Sequence, residues 1–171
     1  MALGMNLETL TLIHVSISLT GIVSGLVVMY GFLTGKRLGG WTAVFLATTA
    51  LTSLTGFLFP FKGVTPAIKL GVISLIVLAI AVVTRYFLHL AWRKTYVIAA
   101  CGSLYFNVFV LVVQSFEKVS VLRALAPTQK ELPFVLTQLI VLALFAVLTT
   151  FAVKKFRIDS ATHAASGARA R

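Results

Sequence analysis

Five long apolar stretches, parted by short polar or basic clusters, leave this chain one class of fold. They run over 7–33, 41–59, 67–92, 95–115 and 133–153, each about 19 to 27 residues, and roughly 20 helical residues cross a hydrocarbon core of about 30 Å. In lipid the backbone must satisfy its own hydrogen bonds, which a helix does within one segment. The expectation is an all-α polytopic transmembrane helical bundle with five spanning helices over 1–157, followed by a disordered basic tail over 158–171 that is too poor in large apolar residues to fold alone.

The separators carry the usual punctuation of helix ends. Thr34, Gly35, Lys36 and Arg37, with Gly39 and Gly40 behind them, close the first stretch. Pro60, Lys62, Gly63 and Pro66 close the second. Arg93 and Lys94 leave so little linker that the third and fourth spans should form an antiparallel hairpin. Pro133 suits the first turn of the fifth span, and Lys154, Lys155 and Arg157 mark its far boundary. Between the fourth and fifth spans, FEKVSVLRAL before Pro127 reads either as a short interfacial helix or as an irregular connector. The first stretch, without Lys or Arg before it and too long for a signal peptide, should remain in the mature protein.

A hydrophobic fraction of 59% and a mean hydropathy of +1.02 exceed what one soluble domain of 171 residues could bury, and only 11% of residues are charged against roughly 25% in soluble domains. The net charge of +11 would suit nucleic acid, but the basic residues cap apolar segments, so anionic lipid head groups at the inner face are the expected counter-charge and no nucleic acid is expected. The Lys and Arg distribution favours N-out, C-in: Lys36, Arg37, Arg93, Lys94, Lys154, Lys155 and Arg157 fall on one side. Lys62, Lys69, Lys118, Arg123 and Lys130, diluted by Glu8, Glu117 and Glu131, fall on the other. Tyr30, Trp41, Tyr86, Trp92 and Tyr96 would form an aromatic belt at the inner boundary.

Several polar residues lie within the spans. His14, Ser18, Gly21 and Gly25 fall within about 60° of arc on the first helix, and Gly21 with Gly25 makes a GxxxG pair suited to close helix approach. Thr48, Thr49, Thr52, Ser53, Thr55 and Gly56 give the second span a hydroxyl-bearing face, either for packing against the first or for lining a solute path. Gly71, Ser74, Leu78, Ala81, Arg85, His89 and Trp92 share one direction on the third, with Arg85 about 12 Å inside the inner boundary. Ser103, Asn107 and Gln114 share one side of the fourth, where a buried amide should face other helices.

These residues limit the chemistry. Glu8, Glu117, Glu131 and Asp159 are the only acids and lie at or beyond the span ends, so no carboxylate pair forms in the membrane and no enzyme is expected. Cys101 is the only cysteine, which excludes an internal disulfide, and no metal site is expected. Two histidines raise haem b. At about 1.5 Å per residue His14 and His89 stand roughly 14 Å apart in depth, so one iron cannot take both in one chain. A single axial His, or a site shared between protomers, keeps a haem b electron-transfer protein as an alternative.

The stretches HVSISLTGIVSGLVVMYGFLTGKR, WTAVFLATTALTSLTGFLFPF and LYFNVFVLVVQSFEKV, ending in LAPTQKELPF, resemble small uncharacterised multi-pass inner-membrane proteins of proteobacteria. The resemblance covers most of the chain to about residue 157. It implies the cell inner membrane and carries over no activity and no site residue. The function expected is a non-catalytic accessory, scaffolding or assembly component, as a homo-oligomer or in a larger membrane complex. The alternative is a small channel or transporter for an anion or neutral solute, with His14, Thr52, Asn107 and Arg85 on one polar pathway.

Overall fold

The computed structural model describes residues 6–59 and 66–169 and is all-helical, with no strand among the described residues. The helices are α1 (Leu7–Leu33), α2 (Gly39–Gly56), α3 (Pro66–Val82), α4 (Arg93–Lys118), α5 (Ser120–Leu125) and α6 (Leu132–Arg169), with a π-helical turn, Val83–Phe87, continuing α3. Among the described residues, four helices are long and apolar enough to cross a membrane: Leu7–Leu33, Ile68–Phe87, Arg93–Lys118 and Leu132–Phe156. Helix α2 has 18 residues rich in threonine and glycine, about 27 Å of helix, and is not among the four.

Asn6 caps α1 by accepting a hydrogen bond from the Thr9 amide at 2.8 Å. The α1–α2 turn closes at Gly35, whose φ of 72° places it in the left-handed region where glycine is free of Cβ strain. Helices α1 and α2 share the most extensive interface, α4 packs against α1, α3 and α6, and α6 also reaches α1. The core runs along α4: Tyr96, Val97, Ala100, Cys101 and Leu104 are buried against Val28, Met29 and Phe32 of α1, Phe45 of α2, and Phe145, Ala152 and Phe156 of α6. Outward faces are strongly apolar, and of the four long helices α6 buries the smallest share of its apolar window.

Two expected boundaries shift, and the segment left open between two readings takes a helical form. The third helix ends at Phe87 rather than Trp92: the Leu88 amide bonds the Val83 carbonyl at 3.0 Å, the Leu90 amide bonds the Thr84 carbonyl at 3.0 Å, and His89 and Leu90 turn left-handed at φ 46° and 61°. Two successive non-glycine residues in that region carry local strain, held by Leu90 packing against the core. The segment between the fourth and fifth stretches contains the short helix α5, set off from α4 by the extended conformation of Val119. The expected disordered tail is instead helical to Arg169, and the repeated alanines Ala161, Ala164, Ala165 and Ala168 are the strong helix formers that extend α6.

Before α6 the chain turns at Gln129, with φ 58°, and Glu131 accepts from Thr128 Oγ1 at 2.8 Å and from the Lys130 amide at 3.0 Å. Desolvation acts to raise the Glu131 pKa, but the hydrogen bonds from Thr128 and from nearby amides outweigh it and hold the carboxyl below its ordinary range. The turn is therefore stabilised at neutral pH, and that contribution fades as acid protonates the carboxylate.

The closest helix approach is at Gly25, where a Cβ would stand 2.5 Å from Leu104 Cδ1 and 2.9 Å from the Phe45 ring. Gly25→Ala is expected to cost about 1–3 kcal/mol by overpacking. Gly40→Ala, where a Cβ meets nothing within 4 Å, should change stability by no more than about 1 kcal/mol, in the stabilising direction. Unfolding of both variants in detergent checks the contrast, and equal losses would contradict this account of the α1–α2–α4 contact.

Candidate functional site

Three polar contacts of the interior are strung along α2 at three levels. At its N-terminal end, Arg85 Nη1 donates to the Tyr96 hydroxyl at 3.0 Å, with the Thr42 side chain beside that hydroxyl. Thr42 passes its own proton to the Leu38 carbonyl at 2.8 Å. The guanidinium also lies over the rings of Tyr86 and Tyr96, 5.5 and 5.4 Å from their centroids. The set joins the end of α3, the start of α4 and the start of α2.

Seven residues along α2, about 10 Å, Asn107 Nδ2 donates to Thr49 Oγ1 at 3.0 Å. Gly21 makes the room: a Cβ there would lie 3.2 Å from Thr48 Oγ1, 3.6 Å from Thr49 Oγ1 and 3.7 Å from Asn107 Nδ2. Thr48 returns its proton to the Val44 carbonyl at 2.7 Å, so its hydroxyl costs little in an apolar setting.

The third level lies near the C-terminal end of α2. Thr55 Oγ1 lies 2.7 Å from the Leu51 carbonyl, to which it donates, and 2.8 Å from His14 Nδ1, with which it shares a hydrogen bond. Phe59 meets the ring edge-to-face at 5.3 Å, and a Cβ on Gly56 would lie 3.6 Å from His14 Cε1. Ser18 is half-buried on the same helix.

Between the first two levels the bundle is apolar. Phe45, Val97 and Leu104 are each about 1% exposed, and a crevice beside them, lined by Gly25, Met29, Phe32, Ala100 and Cys101, is too narrow for water. Cys101 is buried there, its Sγ 3.7 Å from Met29 Sδ. His14, Asn107 and Arg85 are therefore not brought together. Thr52 Oγ1 is buried with no hydrogen-bond partner among the described residues.

Three placements differ from the expected ones. Arg85 stands two residues from the end of its helix, its Nη2 3.8 Å from a Cβ built on Gly39, because the helix ends early in the π-helical turn. His89 leaves the shared stripe for the exposed left-handed turn, at the opposite end of α2 from His14. Gln114 is exposed, since it lies level with the last turn of α2, where close packing gives out.

Sequence reasoning also missed two partners. Tyr96, expected in the aromatic belt, is fully buried, whereas Tyr30, Trp41, Tyr86 and Trp92 are exposed. A tyrosine just inside α4 opposite Arg85 across a tight hairpin was the available signal. Thr55 was lost among neighbouring hydroxyls of its helix, because helical periodicity does not say which of them a histidine one helix away will reach.

Asn107→Ala and Thr49→Val should each destabilise by about 0.6 kcal/mol and at most about 1.7 kcal/mol, with the double variant no worse than the single ones. A double-mutant cycle measured by unfolding in detergent checks this, and strictly additive losses would exclude the pair as a stabilising contact. Release of left-handed strain in His89→Gly should raise stability by a net amount of about 0.5–1 kcal/mol, read in the same assay. A loss there would mean that the imidazole makes a contact that the turn needs.

Compared with protein-family models, curated proteins and solved structures, the chain finds no match.

Proposed function

We propose that the protein is a five-span integral membrane protein, oriented N-out and C-in, acting as a non-catalytic accessory, scaffolding or assembly component of a bacterial inner membrane. The observation that carries this reading is the local pairing of three interior polar groups: Arg85 with Tyr96, Asn107 with Thr49, His14 with Thr55, the first two pairs separated by apolar side chains. Groups satisfied in this way specify which helices pack together and leave little free for a substrate. A solute path through His14, Thr52, Asn107 and Arg85, or one haem iron held by His14 and His89 of a single chain, draws no support from this arrangement.

The fifth span in this reading is α2. Arg85, at the end of α3, lies beside Gly39, at the start of α2, so the α1–α2 and α3–α4 turns share one end of the bundle. Sharing an end requires α2 and α3 each to traverse it, which supports α2 as a spanning helix despite its modest hydropathy. Lys36, Arg37, Arg93, Lys94, Lys154 and Lys155 gather toward that end, which favours placing it at the cytoplasm against anionic head groups. The inner-membrane assignment rests on the resemblance described above. The outward apolar face of α6, with Leu136, Leu139, Ile140, Leu144 and Val147 exposed, is open to lipid or to a helix of another subunit.

Affinity purification of the full chain in mild detergent tests the role. A stoichiometric membrane partner or a defined homo-oligomer is expected, while a monodisperse monomer that releases a trapped solute from liposomes would overturn it. For orientation, a green fluorescent protein fused at the C-terminus should fluoresce, and alkaline phosphatase fused after Lys130 should be active. The reverse pair of results would exclude N-out, C-in.

A further inference from the structure

We infer that α5 and the turn after it form a lipid-facing surface element, seated at the boundary between head groups and acyl chains of the leaflet where α4 ends and α6 begins. Val119 breaks α4 with an extended backbone, and α5 leaves in a new direction. Its exposed apolar side chains, Val121 at 69% and Leu125 at 54%, are four residues apart and lie on one face, while Arg123 points the opposite way round the helix. Leu132, at the entry to α6, is 74% exposed in the same stretch. Such residues beside water would form an apolar patch with no cover, whereas at the membrane interface they are solvated by acyl chains.

Depth selects the bilayer as the occupant. Gln129 Nε2 donates to the carbonyl of Val113 at 3.2 Å, and Val113 lies five residues, about 8 Å, back from Lys118 along α4. Ala126 is buried, and Phe116 meets Phe134 edge-to-face at 5.4 Å. The connector is thus folded back beside the last turns of a helix apolar enough to cross the membrane, not held out from it. Charge agrees: over residues 116–132 the three bases Lys118, Arg123 and Lys130 exceed the two acids Glu117, 3.5 Å from Lys118, and Glu131, which accepts from the Thr128 hydroxyl and the Lys130 amide, by one. The net positive charge is suited to lipid phosphates.

The inference requires that the chain spans a membrane but not that it is an accessory protein. It is tested on the full chain carrying Cys101→Ala and one nitroxide label at a time, at Val121→Cys, Leu125→Cys or Thr128→Cys, in phosphatidylethanolamine and phosphatidylglycerol vesicles. Collision with oxygen relative to a water-soluble nickel chelate should be several-fold higher at 121 and 125 than at 128. Equal ratios at all three would place α5 in water. Loss of collisions with both reagents at 121 and 125 would mean that protein covers the face, from a second copy or a partner. Either result overturns the proposal, and because 121 and 125 are read separately, misfolding of one variant leaves the other decisive.

Discussion

In hydrocarbon no water stands ready to hydrogen-bond a polar group, and the internal organisation of this bundle follows from that constraint. Helix α2 carries hydroxyl groups that would otherwise be a liability, and they are disposed of in two ways. Thr42, Thr48 and Thr55 return their protons to carbonyls of their own helix. Their oxygens, and that of Thr49, are then free for other elements, and two of the four meet one: Thr49 accepts from Asn107, and Thr55 is hydrogen-bonded to His14. Each such bond is modest, but a wrong partner helix would leave the same groups unpaired, so their energetic weight lies in specificity.

Glycine sets the distances at which this can happen. Gly21 and Gly25 lie one turn apart on α1 and admit quite different neighbours, the first a cluster of hydroxyls and an amide, the second the Phe45 ring and Leu104. A single stripe thus serves a polar and an apolar contact in succession. Where the hydrophobic effect no longer separates helix from surroundings, close van der Waals approach of this kind supplies much of the attraction between helices.

Much of the architecture was legible in the sequence because hydropathy alone marks long apolar segments, and α1, α4 and the start of α6 follow the expected stretches closely. The end of the third helix was not legible: residues 87–92 contain no glycine or proline, and the π-helical turn with its left-handed exit at His89 and Leu90 is dictated by packing. That early end takes His89 off the helix. Gln114 shows a second limit, since a helical wheel tells which face a residue occupies but not whether a neighbouring helix extends that far. Tyr96 shows a third: beside Arg93 and Lys94 it looks interfacial by position, and only the hairpin geometry turns its ring inward.

Arg85 sits where two hairpins made far apart in the chain come together. Its Nη1 donates to Tyr96 at the start of α4, and its Nη2 stands 3.8 Å from a Cβ built on Gly39 at the start of α2. One side chain therefore fastens the α1–α2 and α3–α4 hairpins at the same end of the bundle, so that whatever displaces the guanidinium loosens both at once.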